Sequence, residues 1–286
     1  MVSTWTFKDP FTEIAETLHE PMQTPSTCAD QVRRLDNDRF LCAQFAPVDV
    51  REALYAVYAF NLELARIPER VSEPILGEVR FQWWRDALDG VFGGKPPHHE
   101  ITGPLAKAVR DFSLDRALFD RLINTRQRDL DEKPITDMAD FDDYAAGTSG
   151  VLARLTLDIA GTGDTVAREA ASNVAVAWAV CNILRAVPFH AGRGQEFLPQ
   201  NLPKGADGKG ATRKLAEYAW RRLGAARERS NEIPRAALPA LLPAVLADAW
   251  LRRFQRVGFD PFDPNLQRVA ATRPLRLWFH AWRGRY

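Results

Sequence analysis

Apolar residues recur every three or four positions along nearly the whole chain, whereas alternating segments rich in Val, Ile and Thr are rare. A period near 3.6 is typical of helices that bury one face, and a period of two is typical of half-buried strands. The pattern therefore predicts an all-α protein. Because neither a repeat nor an interdomain linker interrupts it, we expect a single domain over residues 1–286.

Proline and capping residues predict where several helices begin and end. Pro47 suits the first turn of a helix, Ser72 suits a cap for the next long helix, and Asp140 is predicted to open a later one. The longest apolar helix covers roughly residues 165–187, and we expect Pro188 to interrupt or end it because proline lacks the amide hydrogen. Small residues that would let another helix come close follow Asp140: Ala145, Ala146, Gly147, Ser149 and Gly150.

Composition narrows the classes of function. Hydrophobic residues make up 46% of the chain and charged residues 26%, the proportions of a globular protein with a core. The formal net charge of +1 argues against broad nucleic-acid binding, which requires an excess of Lys and Arg. The cysteines Cys28, Cys42 and Cys181 are too widely spaced for a zinc motif, so we expect buried thiols with neither zinc nor disulfides.

The sequence also bears on location. No uninterrupted apolar run reaches the roughly 18 residues that a membrane-spanning helix needs. The N-terminal segment carries Asp9, Glu13 and Glu16 and has no apolar signal core or Arg-rich amphipathic pattern, so a cytoplasmic protein is expected. Arginines alternate with aromatic residues from Arg273 to Arg285, which favours either a packed amphipathic helix or a peripheral contact with the inner membrane.

Motifs of common hydrolase and nucleotide sites are absent, since the sequence has no nucleophile elbow, P-loop or dinucleotide fingerprint. Two other segments are more informative together than apart. Residues 55–71 read YAVYAFNLELARIPERV, and residues 181–199 read CNILRAVPFHAGRGQEFLP. They resemble the paired motif helices of the squalene/phytoene synthase family. The resemblance implies an isoprenoid-synthase-type helical bundle around a central cavity.

In that family, aspartates of the two motifs hold Mg²⁺, and the metal ions hold the diphosphates of two prenyl substrates. Loss of diphosphate requires its charge to be neutralised, and carboxylates on one helical face supply the hard oxygen ligands that Mg²⁺ prefers. By this resemblance the first metal motif is vacated at Ala65, Arg66 and Glu69, and the second at Ala186 and His190. Alanine cannot bind a metal and arginine repels one, so we expect no metal, no cofactor and no catalytic residue.

These departures resemble one branch of the family, the phytoene-synthase-like assembly factors of respiratory complex I, over residues 60–101, 183–199 and 254–286. That resemblance implies a catalytically inactive protein that assists complex I assembly by contacting a subunit or an assembly intermediate. The alternative is a Mg²⁺-dependent prenyl diphosphate head-to-head synthase with an altered metal site. Its ligands would come from Glu63, Glu69, Asp129, Asp131 and Asp143.

Basic side chains around the vacated motifs favour a ligand that needs no metal, because a guanidinium pairs bidentately with phosphate. The residues expected to bind the anionic head group of an isoprenoid or lipid are Arg66, Arg185, His190 and Arg193. The sequence leaves a second interpretation open, in which Arg185 and Arg193 form internal salt bridges.

Overall fold

The computed structural model describes residues 26–130, 135–192, 198–203, 205, 209–267 and 271–286. This part of the chain is helical and contains no strand, as the hydrophobic period predicted. The α-helices are α1 (Thr27–Leu35), α2 (Asn37–Ala43), α3 (Val48–Ala65), α4 (Ile67–Arg70), α5 (Pro74–Phe92), α6 (Thr102–Phe112), α7 (Arg116–Gln127), α8 (Met138–Ala145), α9 (Val151–Ile159), α10 (Thr165–Ala191), α11 (Gly210–Arg227), α12 (Leu238–Leu241), α13 (Pro243–Arg256) and α14 (Arg273–Trp282). A π-helical turn, Ala146–Gly150, joins α8 to α9, and short 3₁₀-helices cover Arg128–Leu130, Ser230–Glu232, Arg235–Ala237 and Pro264–Gln267.

Some helices begin at a proline and others at a side-chain cap, and two of the predicted helix starts were wrong. Pro47 precedes α3 as predicted, and the Asp164 carboxylate accepts the first-turn N–H of α10 at 2.8 Å. α5 begins at Pro74 without a side-chain cap, so Ser72 does not cap it. Asp137 caps α8 by accepting two backbone N–H groups at 2.9 Å, which places that helix start before Asp140.

The apolar side chains form two cores that meet at α9. One core contains residues of α1, α3, α5, α6 and α7, and the other contains residues of α10, α11, α12 and α13. Leu152 and Leu155 of α9 belong to the first core, whereas Leu157 belongs to the second. Burying each of these leucines stabilises the fold by about 1.5–3 kcal/mol. α9 therefore ties the two halves of the bundle together.

α10 is the central helix of the second core. By length and composition alone, it is the one helix among the described residues that could cross a membrane. Half of its most apolar window is buried inside the protein, where α10 packs against α11 and α13, so the core accounts for its hydropathy. Pro188 does not end the helix, which continues to Ala191; the prediction of an end at this proline was wrong.

The small residues between α8 and α9 permit the close approach that the sequence predicted. A Cβ placed on Gly147 would lie 2.1 Å from Thr125 Oγ1 of α7 and 2.9 Å from its Cβ. Only glycine leaves room for this contact, because a separation under 3 Å forces an atom to move. The backbone of the π-helical turn at Gly147 therefore packs directly against the Thr125 side chain of α7.

Candidate functional site

The first vacated motif lies where α3 ends. α3 stops at Ala65, Arg66 joins the two helices with φ −94° and ψ −2°, and Glu69 belongs to the four-residue helix α4. Ala65 and Arg66 are half-buried, whereas Glu69 is exposed. The motif is thus divided between two helices, and its one remaining acid is open to solvent.

The acids proposed as replacement metal ligands are not brought together. Glu63 forms an ion pair with Arg70 at 2.8 Å, and Asp143 is 67% exposed on the surface of α8. Asp129 is buried in a separate network, and Asp131 lies outside the described residues. In the described ranges, no three Asp, Glu, His or Cys side chains form a group that could hold a metal ion. These residues do not fit Mg²⁺, which is bound through carboxylates in octahedral geometry.

The second vacated motif lines the larger of the cavities near the motif helices. On α10, Asn182, Arg185 and Ala186 border a space of about 590 Å³. Its other walls include Asp38 of α2 and Arg273 at the start of α14. The volume lies in the range of small-molecule sites. The position of the lost aspartate at Ala186 therefore still faces open space.

A buried carboxylate occupies the centre of this cavity wall. Asp38, 6% exposed, accepts a hydrogen bond from Arg185 Nη1 at 3.3 Å and a shorter one from Arg273 Nη1. Arg185 also donates to Asn182 Oδ1 at 3.3 Å. Arg185 thus forms the internal salt bridge that the sequence left open. The three charged residues join α2, α10 and α14.

The cavity wall remains cationic, because its three arginines, Arg34, Arg185 and Arg273, outnumber its two carboxylates, Asp36 and Asp38. The Arg185 guanidinium lies 4.3 Å from the ring centroid of Trp250, and that of Arg253 lies 4.5 Å from the same centroid. Burial, followed by the charge of Arg185, lowers the pKa of Arg253, as expected where positive charge is concentrated.

Two buried donors on the cavity walls have no hydrogen-bond partner among the described residues: Arg273 Nε and Trp178 Nε1. Buried donors are usually satisfied, so each unpaired one requires an explanation. Both donor atoms are themselves buried, so it is the cationic wall that suits a ligand with several acceptor oxygens.

The structure describes three of the four predicted basic residues, and these three do not line one cavity. Arg185 lines the cavity, whereas Arg66 and His190 are not part of its wall. His190 instead lies near Asp129. Burial raises the pKa of that carboxyl, and the charge of His190 offsets a small part of the rise. Arg193 lies outside the described residues. Binding of an anion by these residues stays a prediction.

One void between α3 and α10 is small. Tyr58 of α3, Thr156 of α9 and Trp178 of α10 border a void of about 20 Å³, room for roughly one water molecule. The Tyr58 hydroxyl and Thr156 Oγ1 are 2.9 Å apart and form a hydrogen bond. Burial raises the pKa of Tyr58 to about 12, against the effect of that hydrogen bond, so the phenol stays neutral. A prenyl chain does not fit in this void, in contrast to the larger cavity beside Ala186.

A second buried polar network lies behind the first motif. Arg126 Nη1 lies 3.1 Å from the Tyr144 hydroxyl and 3.5 Å from Asp129 Oδ2, and its Nη2 donates to Asn61 Oδ1 at 3.2 Å. Burial raises the pKa of Asp129, although the positive charge of Arg126 acts in the opposite direction. One oxygen of this carboxylate, Oδ1, has no partner within the described part of the chain. The network satisfies neither residue in full, because Arg126 Nε also has no partner there.

Sequence reasoning missed the central residue of the cavity. Asp38 was not a candidate, and Arg273 was considered only as part of the C-terminal basic segment. Arg273 lies 235 residues from Asp38 along the chain, so no local pattern brings them together. The available signal was the position of Asp38, an acid four residues before Cys42 and therefore on the same side of a helix as that apolar residue.

Comparisons with known proteins agree with this architecture. A family model described as squalene/phytoene synthase matches residues 32–275. A Bos taurus protein named NADH dehydrogenase (ubiquinone) complex I, assembly factor 6, is 34% identical over 277 residues, which cover 92% of this chain and 83% of that protein. A presqualene diphosphate synthase of Rhodopseudomonas palustris is 28% identical over 182 residues, 63% of this chain and 64% of that protein.

Solved structures show the same fold. A dehydrosqualene synthase in complex with a ligand superposes with a TM-score of 0.76 at 18% identity and covers 96% of this chain and 98% of that one. The squalene synthase HpnC of Alicyclobacillus acidocaldarius gives 0.72 at 18% identity, with 82% and 94% coverage. The expected all-α isoprenoid-synthase fold is therefore confirmed.

Proposed function

The chain belongs to the squalene/phytoene synthase family, and from this premise we propose that it is a catalytically inactive member that assists the assembly of respiratory complex I. The motif positions carry the inactive part of the proposal, because Ala65, Arg66, Ala186 and His190 replace acids of the family motifs and the acids nearby form no metal-binding group in the described residues. The relatives named as complex I assembly factors, matched over nine-tenths of this chain, support the assembly part. The partner would be a complex I subunit or an assembly intermediate.

Deletion of the gene tests the assembly role. We expect lower NADH:quinone oxidoreductase activity in membranes and lower levels of assembled complex I, with succinate dehydrogenase activity unchanged as the internal control. Re-expression of the wild-type chain should restore both quantities. Normal complex I activity and normal subunit levels in the deletion strain would reject the proposal.

The competing function within this family is prenyl transfer, and the family match itself is what favours it. Incubation of the purified protein with farnesyl or geranylgeranyl diphosphate and Mg²⁺ separates the two functions. We expect no release of diphosphate, since the acids near the motifs do not form a metal site in the described residues. Release that depends on Mg²⁺ and on Glu63 or Asp129 would instead support the synthase.

We also propose that the cavity beside Arg185 binds the anionic head group of an isoprenoid or lipid. The support is the volume of the cavity, about 590 Å³, and the excess positive charge on its wall. Native mass spectrometry of the purified protein should detect a copurified lipid, and geranyl diphosphate should raise the melting temperature. Arg185→Gln should abolish that shift, and an unchanged shift in this variant would place the ligand elsewhere.

For location, we propose a cytoplasmic protein at the periphery of the inner membrane, where an assembly factor would meet its client. Cell fractionation tests this: the protein should appear in both soluble and membrane fractions, and high salt should release the membrane-bound part. Recovery only in the soluble fraction at low salt would contradict it.

A further inference from the structure

α14 presents one buried and one exposed apolar face. Leu277 and Ala281 are buried against the rest of the bundle, at 0% and 1% exposure. The opposite side consists of large apolar side chains that no described element covers: Leu275, Trp278, Phe279 and Trp282, here called the α14 aromatic face. Their exposed fractions are 70%, 39%, 44% and 53%. Residues at spacings of three, four and seven share one side of a helix, so these four form a continuous patch.

The helix that carries this patch is held firmly in place. At its start, Arg273 is paired with buried Asp38. After its end, the Tyr286 hydroxyl donates to the Ala226 carbonyl at 2.7 Å, and Arg227 Nε donates to the Tyr286 carbonyl at 2.6 Å. The exposure of the α14 aromatic face is therefore a property of the folded bundle and not the result of a detached helix.

The C-terminal segment that carries the α14 aromatic face has charged side chains of a single sign. The segment from Pro264 to Tyr286 contains five arginines and no Asp or Glu. Arg276 and Arg283 are exposed beside the aromatic residues, and the Arg283 guanidinium lies 5.2 Å from the ring centroid of Phe279. Neither arginine forms an ion pair with any residue that the structure describes. The patch is thus apolar at its centre and cationic at its edge.

We propose that the α14 aromatic face docks on the surface of an anionic lipid bilayer. Tryptophan rings are enriched at the level of the lipid head groups because they combine an apolar body with a polar N–H. Arginines at the edge would pair with lipid phosphates, to which their charge is complementary. A ten-residue helix, about 15 Å long, lies in the plane of the interface and does not cross it.

The inference rests on the peripheral location proposed above. The observations on α14 and the experiment below do not depend on the complex I role. Vesicle flotation tests it with the full chain and with vesicles of phosphatidylcholine alone or mixed with phosphatidylglycerol. Wild-type protein should float with the anionic vesicles and not with the neutral ones. Increasing salt should release it, because screening weakens attraction between exposed charges.

Two variants address the two parts of the face. Trp278→Ser/Trp282→Ser should weaken binding to anionic vesicles by roughly 10-fold or more. Arg276→Gln/Arg283→Gln should weaken it by about 5-fold for each arginine. The matched control, Ile75→Ser/Val79→Ser, removes apolar side chains that are 67% and 62% exposed on α5 and should bind like wild type. Because all six positions are exposed, thermal unfolding should confirm that each variant is folded.

Several results would overturn the proposal. These are failure of the wild type to float with anionic vesicles, equal binding to neutral vesicles, and unchanged binding in both α14 variants. A dimer in solution that Trp278→Ser/Trp282→Ser dissociates, with no vesicle binding, would assign the face to a second copy of the chain instead. Loss of vesicle binding with intact complex I assembly would leave the assembly role standing, so the two proposals fail separately.

Discussion

At the scale of single residues, Asp38 has opposite effects on stability and on anion binding. It is the shared partner of Arg185 and Arg273, and its removal leaves two guanidinium groups without their carboxylate. Loss of one member of a buried ion pair typically costs about 3–5 kcal/mol. The same carboxylate repels any anion that enters the cavity, so Asp38 limits the affinity of the site.

Asp38→Asn should therefore destabilise the fold while it strengthens anion binding. We expect a loss of about 2–4 kcal/mol, below the full cost because Arg185 is 31% exposed. Urea denaturation measures this loss. Calorimetric titration with inorganic pyrophosphate should show affinity at least about 10-fold higher than that of wild type, because one repulsive charge is gone.

A matched control for Asp38→Asn is Asp158→Asn, which breaks a more exposed ion pair with Arg154 on α9. It should lose less than about 1 kcal/mol and leave pyrophosphate binding unchanged. Equal or weaker pyrophosphate binding by Asp38→Asn would mean that the cavity is not an anion site.

Arg126 and Asp129 give a prediction about pH. In Arg126→Met, Asp129 loses the charge that opposes the effect of burial, so the raised pKa of its carboxyl rises further. A carboxyl whose pKa is higher in the folded than in the unfolded state contributes stability at low pH and loses it as pH rises. The variant should be less stable than wild type by about 3–5 kcal/mol at about pH 8 and by clearly less at about pH 5.

Urea denaturation at both pH values measures this difference. Arg126→Met/Asp129→Asn removes both charges and should recover most of the stability with little remaining pH dependence. A deficit in Arg126→Met that is the same at both pH values would show that Asp129 does not carry a raised pKa.

At the scale of helices, the hydrophobic period predicted their existence, while tertiary contacts set several of their ends. Ser72 and Asp140 are good capping residues by type, yet the backbone places Pro74 and Asp137 at the helix starts. Pro188 lies within α10 because neighbouring helices hold that helix by packing, which outweighs the local cost of proline. The Asp137 cap is local, since it accepts from the N–H groups of Ala139 and Asp140, so the sequence could have shown it; the continuation of α10 past Pro188 has no such local signal.

The contact between α7 and the π-helical turn gives a prediction at the same scale. Gly147→Ala should destabilise the protein by about 1–3 kcal/mol, because the added Cβ would lie 2.1 Å from Thr125 Oγ1. Gly224→Ala on the exposed side of α11 is the matched control, since a Cβ there meets no atom within 4 Å. That change should stabilise by about 0.4–1 kcal/mol. Thermal unfolding measures both, and a stabilised Gly147→Ala would contradict the packing.

At the scale of the whole molecule, the sequence predicted the fold and the vacated motifs but not what replaces them. Ala65, Ala186 and the family resemblance were readable from local segments. The small void at Tyr58 and Trp178 and the charge shared at Asp38 arise only when α2, α3, α10 and α14 pack together. If the metal ligands are lost as proposed, that loss is one part of a change that also involves α2, α3, α10 and α14.

We predict that restoring the acids at the motif positions does not restore an enzyme. A variant with Ala65→Asp, Arg66→Asp, Ala186→Asp and His190→Asp regains carboxylates at the motif positions. Beside the restored position 186, Arg185 stays paired with Asp38, and the void next to Tyr58 stays at about 20 Å³, too small for a prenyl chain. With farnesyl diphosphate and Mg²⁺, the variant should release no diphosphate above the wild-type level.

The same variant should still restore complex I activity in the deletion strain if assembly depends on the outer surface of the bundle and not on the motif positions.

Ala65→Asp/Ala186→Asp provides a milder version in which both positions are half-buried, so thermal unfolding can verify a folded protein. Mg²⁺-dependent diphosphate release by either folded variant would show that only the ligands had been lost. The small void beside Tyr58 would then not be what prevents catalysis, because side chains such as Tyr58 and Trp178 would have to move aside for the substrates.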